Sequence, residues 1–114
     1  MAFALDHVQI AIPPGSETEA PGFYGTRLGL RELDRPAILA GRSGCWYDLG
    51  LHQLHLGADA DFHPARKAHV ALTTDDLAAL RIGFRMPAVR SARTCRSPGA
   101  RGSLPRIRSV TAWN

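Results

Sequence analysis

The sequence predicts an α+β domain made of two β-α-β-β-β modules, the second of which is incomplete. Two observations carry this prediction: a short alternating strand recurs along the chain, and a capped helix follows it each time. In residues 5–12, aliphatic side chains alternate with the polar His7 and Gln9. The same His-Val pair returns in residues 68–72, where His69 again lies opposite the aliphatic side chains. A repeated strand with a matched histidine indicates a duplicated unit.

The first helix is predicted from its start and stop signals. Ser16 and Glu19 are spaced as a capping box, in which the two side chains accept free amide N–H groups at a helix start. Pro21 fits only in the first turn, so the helix is expected to begin just before it. It is expected to run to about Leu28 and to end at Gly29, which suits the left-handed position after a helix.

Three extended segments complete the first module, which is expected to span residues 1–57. The segments are residues 30–33, residues 45–49 and residues 53–56. The second is rich in strand formers, including Trp46 and Tyr47, and the third places Gln53 and His55 opposite two leucines. The order along the chain is therefore β-α-β-β-β.

The second module is expected to begin in residues 68–80. After its first strand, Asp75 and Asp76 supply a cap and first-turn negative charge for a helix that begins at Leu77. From Arg81 onward no period of 2 or 3.6 is sustained. The second module therefore lacks its last strands.

Residues 81–114 differ in charge from the rest of the chain. Residues 1–80 hold six Lys and Arg and all ten Asp and Glu, whereas residues 81–114 hold eight Arg and no acidic residue. Pro and Gly interrupt this segment repeatedly. The simplest interpretation is a disordered, Arg-rich tail.

Length and composition set the class of protein. A chain of 114 residues is expected to form a single domain, residues 1–114, whose core needs neither disulfide nor metal. No apolar run approaches the length of a membrane span, and the first residues lack the plan of a signal peptide. We therefore expect a cytoplasmic protein without a membrane partner, with Cys45 and Cys95 as free thiols.

Several short motifs occur in a characteristic order. They are LDHV at residues 5–8, Phe23-Tyr24 ahead of LGL at residues 28–30, QLHL at residues 53–56 and AHV at residues 68–70. Together they resemble the vicinal oxygen chelate superfamily, which contains the glyoxalases, bleomycin resistance proteins and extradiol dioxygenases. The resemblance covers residues 3–80. It implies a fold of two β-α-β-β-β modules whose curved sheets form a cup around a metal or a ligand.

The resemblance also implies a site. Superposing the modules brings His7, His55 and His69 into one cup as ligands of a divalent metal: iron, zinc, manganese or nickel. Substrate contacts are expected from four residues, namely Gln9, Trp46, Tyr47 and Gln53. Since Trp46 and Tyr47 alternate, one of the two is expected to face the cup. The alternative for each histidine is a hydrogen-bonded polar residue on a strand. No catalytic residue is assigned.

The closing strand of the superfamily is missing. Relatives usually end the second module with a stretch resembling Asp-Pro-Phe-Gly-Asn-Arg-Val-Glu-Leu, whose glutamate is a metal ligand. Codons built from the third base of one codon and the first two of the next permit this sequence up to the glutamate across residues 106–114. The glutamate is compulsory, because the Trp113 codon ends in G and the Asn114 codon begins with AA. We therefore expect a frameshift, in the gene or in its sequencing, at or just before Arg81.

Three functions follow from these observations. The first is a metal-dependent lyase, isomerase or dioxygenase acting on a small substrate with two neighbouring oxygens, impaired by loss of the closing glutamate. The second is a metal-free protein that binds a small molecule, as in the bleomycin resistance branch. The third is a polyanion-binding protein that uses the Arg-rich tail, although nucleic acid is a poor candidate partner because aromatic residues for base stacking are scarce there. A homodimer is the expected assembly.

Overall fold

A computed structural model of the protein describes residues 1–85 and the backbone of residues 109–112. The strands of this part of the chain are β1 (His7–Ile12), β2 (Glu32–Leu33), β3 (Gly44–Asp48), β4 (Gln53–Ala58), β5 (Val70–Thr73) and β6 (Ser109–Ala112). Its helices are α1 (Pro21–Arg27) and α2 (Leu77–Arg85). Short 3-10 turns cover Ser16–Thr18 and Ala37–Leu39.

A four-stranded sheet carries the first module, in the order β1-β4-β3-β2. Strands β1 and β4 run parallel, whereas β3 is antiparallel to both β4 and β2. A parallel pair needs a crossover connection. Here the crossover contains α1, β2 and β3. The predicted β-α-β-β-β order is confirmed.

One face of this sheet forms the hydrophobic core. The buried apolar residues are Ile12, Ala20, Leu28, Leu30, Cys45, Tyr47, Leu54 and Leu56. Each fully buried leucine stabilises the fold by about 1.5–3 kcal/mol relative to an exposed one. Cys45, expected to be a free thiol, is disulfide-bonded.

The first helix begins at Pro21 with Ala20 as its N-cap residue, which confirms the start expected just before Pro21, but the predicted capping box is absent. No side chain caps the turn at Ser16–Thr18; Gly15 precedes it with a left-handed φ of 86°, and the Thr18 hydroxyl donates to the Gly15 carbonyl at 3.0 Å. The capping-box prediction is therefore wrong, because the chain makes a tight turn here and starts its helix later. That helix, α1, is π-helical and carries Pro21 in its first turn, as expected. Gly29 adopts the predicted left-handed conformation, with φ 68°.

The second module consists of β5 and α2 as far as residue 85. The Asp76 carboxylate accepts the Ala79 N–H at 2.8 Å, which confirms the predicted helix cap. Helix α2 extends to Arg85, five residues beyond the point at which the sequence pattern ends. It packs closely on α1, since a Cβ atom at Gly83 would collide with the Arg27 carbonyl oxygen.

Strand β6 pairs with β5 in a separate two-stranded sheet, and the two strands run antiparallel. This differs from the first module, whose first and last strands run parallel. The remainder of the predicted Arg-rich tail, residues 86–108 and 113–114, lies outside the described residues. Neither helix of the described part has the length and hydropathy of a membrane span.

Candidate functional site

The candidate site is the sheet face opposite the core. Strand register places Gln9, His55 and Trp46 in one row across β1, β4 and β3. The next row contains His7, Gln53 and Asp48. We call the surface formed by His7, Gln9, Trp46, Gln53 and His55 the histidine face. His7 and Gln9 lie on β1, and Gln53 and His55 lie on β4. These four residues, which alternation predicted to be site residues, meet because the two strands are direct neighbours.

Three aromatic rings stack across the histidine face. The His7 and His55 ring centroids are 4.1 Å apart with an interplanar angle of 15°. The Trp46 ring lies on the other side of His55, at 3.8 Å and 3°. These distances are those of stacked rings in van der Waals contact. His55 is thus enclosed between two rings, and it is 5 % exposed although it lies on the face opposite the core.

His55 is held as a neutral ring. Its Nε2 lies 2.8 Å from the amide oxygen of Gln53. Because an amide oxygen only accepts, Nε2 carries the proton and Nδ1 keeps its lone pair. Burial is the main cause that lowers the pKa of His55 to about 4; His7 and Arg35 act in the same direction, and Asp6 opposes them. At neutral pH His55 therefore carries no charge.

His7 is oriented by a carboxylate. Its Nδ1 lies 2.7 Å from an oxygen of Asp6, and both side chains are accessible to solvent. A carboxylate accepts only, so Nδ1–H is the donor and, in the neutral ring, Nε2 is the nitrogen with the free lone pair. A carboxylate on one ring nitrogen is also the usual means of orienting a histidine that ligates through the other.

His69 does not join the other two histidines. It lies just before β5, is exposed, and its Nδ1 is 2.9 Å from the carbonyl oxygen of Lys67. Residues 1–85 contain no group of three or more His, Cys, Asp or Glu side chains placed to hold a metal ion. Of the three predicted metal ligands, the structure brings together His7 and His55.

Trp46 and Tyr47 lie on opposite faces of β3, as alternation requires. Trp46 belongs to the histidine face, whereas Tyr47 is 0 % exposed in the core and stacks on Tyr24 at 5.3 Å. Burial raises the pKa of the Tyr47 hydroxyl, so Tyr47 remains neutral. The assignment of Tyr47 as a substrate contact is corrected accordingly.

The glutamines occupy different positions on the histidine face. Gln53 holds His55, as described. Gln9 is exposed, and its amide nitrogen would be 2.9 Å from a Cβ atom at Gly57. Because Gly57 has no side chain, the Gln9 amide can occupy the space beside it.

Sequence reasoning missed two ionic features beside this face. The Arg31 guanidinium contacts the Asp48 carboxylate at 2.6 Å, and the other oxygen of Asp48 accepts the Gly50 N–H at 2.6 Å. Arg35 follows β2 and donates to the carbonyl oxygens of Arg42 and Gly44 at 2.6 and 3.2 Å. The two arginines flank a two-residue strand that is too short for its faces to be read from alternation.

Comparison with known proteins identifies the fold. No family model and no curated protein matches the chain. Its structure is similar to the crystal structure of a protein from Bacillus anthracis described as a glyoxalase family protein, with a TM-score of 0.67 and 36 % sequence identity. The match covers 74 % of this chain and 69 % of that one. The chain belongs to the glyoxalase family. The predicted glyoxalase-like α+β fold is thereby confirmed.

Membership of the glyoxalase family implies a metal, and the described side chains do not fit one. The rings of His7 and His55 are nearly parallel, so their nitrogen lone pairs do not converge on a common point. His55 Nε2 is already bonded to Gln53, and no third ligand is placed beside them in residues 1–85. In this protein the histidine face therefore presents stacked rings and side-chain amides instead of a set of metal ligands.

Proposed function

We propose that the protein binds a small planar molecule on the histidine face without a metal ion. The observation that carries this proposal is the stack of Trp46, His55 and His7. A planar ligand can extend such a stack or lie along its ring edges, and aromatic pairs contribute about 0.5–1.5 kcal/mol beyond the area they bury. The amides of Gln9 and Gln53 lie beside the rings and can orient a polar ligand.

The neutral state of His55 supports this function. A protonated ring between Trp46 and His7 would carry charge into a buried position, whereas the lowered pKa keeps the stack uncharged at neutral pH. An uncharged stack bonded to Gln53 is rigid, because rotating one ring would break both its stacking and its hydrogen bond. A rigid aromatic surface loses little entropy when a ligand binds.

Calorimetric titration in the presence of EDTA tests this proposal. We expect 2-naphthamide to bind and the non-planar cyclohexanecarboxamide to bind about tenfold more weakly. The variants Trp46→Ala and His55→Gln should lose binding of 2-naphthamide. His63→Gln is the matched control, because His63 is exposed and contacts the main chain of Asp61. Equal affinity for both amides, or a requirement for added metal, would contradict the proposal.

A second candidate function is a metal-dependent lyase, isomerase or dioxygenase that acts on a small substrate with two neighbouring oxygens. The contact between His7 Nδ1 and Asp6 favours it, because it leaves Nε2 available for a metal. Metal analysis of purified protein tests this candidate. Stoichiometric iron, zinc, manganese or nickel that is lost in His7→Ala and retained in His63→Ala would support it.

We also propose that a frameshift at or just before Arg81 replaced the closing strands of the second module. The strand directions support it: the first and last strands of module one are parallel, whereas β5 and β6 are antiparallel. The matched share of 74 % is close to the fraction of the chain that precedes residue 86. Helix α2 continues through Arg81, so the helix itself does not mark the change of phase.

The nucleotide sequence tests the frameshift. Codons for residues 106–114 that read as Asp-Pro-Phe-Gly-Asn-Arg-Val-Glu in the shifted phase would support it. Codons incompatible with this phase would eliminate it, and the Arg-rich tail would then remain as a candidate polyanion-binding segment.

A further inference from the structure

We propose that Arg35 forms an anion-binding subsite beside the histidine face, so that the ligand is a planar compound carrying a carboxylate or a phosphate. This inference rests on the proposed binding function and specifies the class of ligand. It depends on three features of Arg35: its anchoring, its charge and its electrostatic effect on the ring stack.

The guanidinium of Arg35 is anchored at the start of β3. Its Nη1 donates to the carbonyl oxygens of Arg42 and Gly44, at 2.6 and 3.2 Å. Its Cζ would lie 3.7 Å from a Cβ atom at Gly44. Gly44 is two residues before Trp46 on the same strand, and Leu33, two residues before Arg35, pairs with Trp46. Arg35 is therefore fixed at the Trp46 end of the ring stack.

The charge of Arg35 is not neutralised by these contacts, because both acceptors are uncharged carbonyl groups. Its Nε is buried and has no hydrogen-bond partner among the described residues. Arg31, at the other end of the same short strand, differs in that it is paired with the Asp48 carboxylate at 2.6 Å. Of these two arginines flanking β2, Arg35 is the one whose described contacts leave its positive charge available to a ligand.

The field of Arg35 reaches the ring stack. Its charge is one of the causes that lower the pKa of His55, which shows that the two groups are electrostatically coupled. A neutral His55 beside a cationic Arg35 gives the site a positive end and an uncharged aromatic wall. A planar acid fits both, because a guanidinium binds carboxylate and phosphate through charge-assisted hydrogen bonds.

Calorimetry with three naphthyl probes tests the subsite. The probes are 2-naphthoate, 2-naphthyl phosphate and the neutral 2-naphthamide, at pH 7.5 and low salt. We expect the parent protein to bind the two anions about tenfold or more tightly than the amide. Arg35→Gln should reduce this preference to near unity and leave the affinity for 2-naphthamide unchanged. Arg35→Lys keeps the positive charge but loses the bidentate geometry of the guanidinium, so it should retain part of the preference for anions.

Arg42→Gln is the matched control, because it removes a nearby positive charge while its main-chain carbonyl still accepts from Arg35. It should keep the anion preference. Equal affinity of the parent for anions and amide would overturn the subsite and leave the binding function intact. Equal losses in Arg42→Gln and Arg35→Gln would also overturn it, since a general charge effect would then suffice. Binding of none of the probes would overturn both proposals. Thermal melting of each variant verifies that it is folded.

Discussion

The two modules begin alike and end differently. Each starts with a strand at a His-Val pair: β1 includes His7, and β5 begins directly after His69. Each then continues into a helix. The first then forms three more strands, the last of which runs parallel to the first. The second has, among the described residues, one more strand, which runs antiparallel to its partner. Among the described residues, the two modules therefore correspond through α2 and differ in the direction of the last strand.

This difference explains the incomplete site. In the first module β4 brings Gln53 and His55 beside β1, so two histidines meet on one face. In the second module the described strand beside β5 runs in the opposite direction, and His69 contacts the main chain of Lys67 instead. A histidine at a repeated sequence position reaches a repeated spatial position only when its neighbouring strand is also repeated.

The largest effect is expected from restoring the shifted phase from codon 81. If the closing strands then complete the second module, more apolar surface is buried and the sheet that contains β5 gains strands. A gain of about 2 kcal/mol would raise the melting temperature by about 10 °C in a domain of this size. Differential scanning calorimetry of both chains measures it. Equal melting temperatures would count against a frameshift as the reason why the two modules differ.

Core truncation should affect the modules unequally. Leu56→Ala removes a side chain that is 1 % exposed in the first module and should cost about 2–5 kcal/mol of unfolding free energy. Val70→Ala, at a half-buried position of β5, should cost about 1 kcal/mol or less. Urea denaturation measures both, with the exposed Leu51→Ala as control. Equal losses at Leu56 and Val70 would show that the second module is packed as well as the first.

The contact between the modules can be tested at Gly83. An alanine there would collide with the Arg27 carbonyl and separate α2 from α1, at a cost of about 1–3 kcal/mol. Alanine is otherwise favoured over glycine in a helix by about 1 kcal/mol. A net loss of stability in Gly83→Ala therefore shows that α2 is docked, whereas a gain would show that it is not. Gly41→Ala is the control, because nothing lies within 4 Å of its Cβ position.

The stability of the first module should depend on pH through His55. Its pKa is about 4 in the folded protein and near the ordinary 6.5 when unfolded, so protons bind the unfolded chain more tightly. The folded state therefore keeps its full stability with respect to His55 above pH 6.5, and it loses stability as the pH falls from 6.5 towards 4. Denaturation at several pH values should show this decline, and His55→Gln should reduce its slope. An unchanged slope would mean that His55 is not buried as described, whereas His63→Gln should behave like the parent.

Sequence periodicity predicted those features that depend on neighbours along the chain. Alternation placed His7 with Gln9 and Gln53 with His55, and the Asp76 cap and the Gly29 stop follow from local hydrogen bonding and backbone sterics. Alternation does not decide between Trp46 and Tyr47, because their orientation depends on how the turn at Gly50 sets the register of β3 against β4. Arg35 was missed because its role depends on two carbonyl groups of a later segment.

The smallest effect is expected at His69, and it tests the comparison of modules most directly. His69→Ala should leave the affinity for 2-naphthamide unchanged, because the ring is exposed and turned to the Lys67 carbonyl. His7→Ala should weaken binding severalfold, since it removes the outer ring of the stack over His55. Calorimetric titration of both variants measures the difference. Equal weakening would mean that His69 reaches the histidine face in solution, and two repeated histidines would then serve one site as the duplicated sequence first suggests.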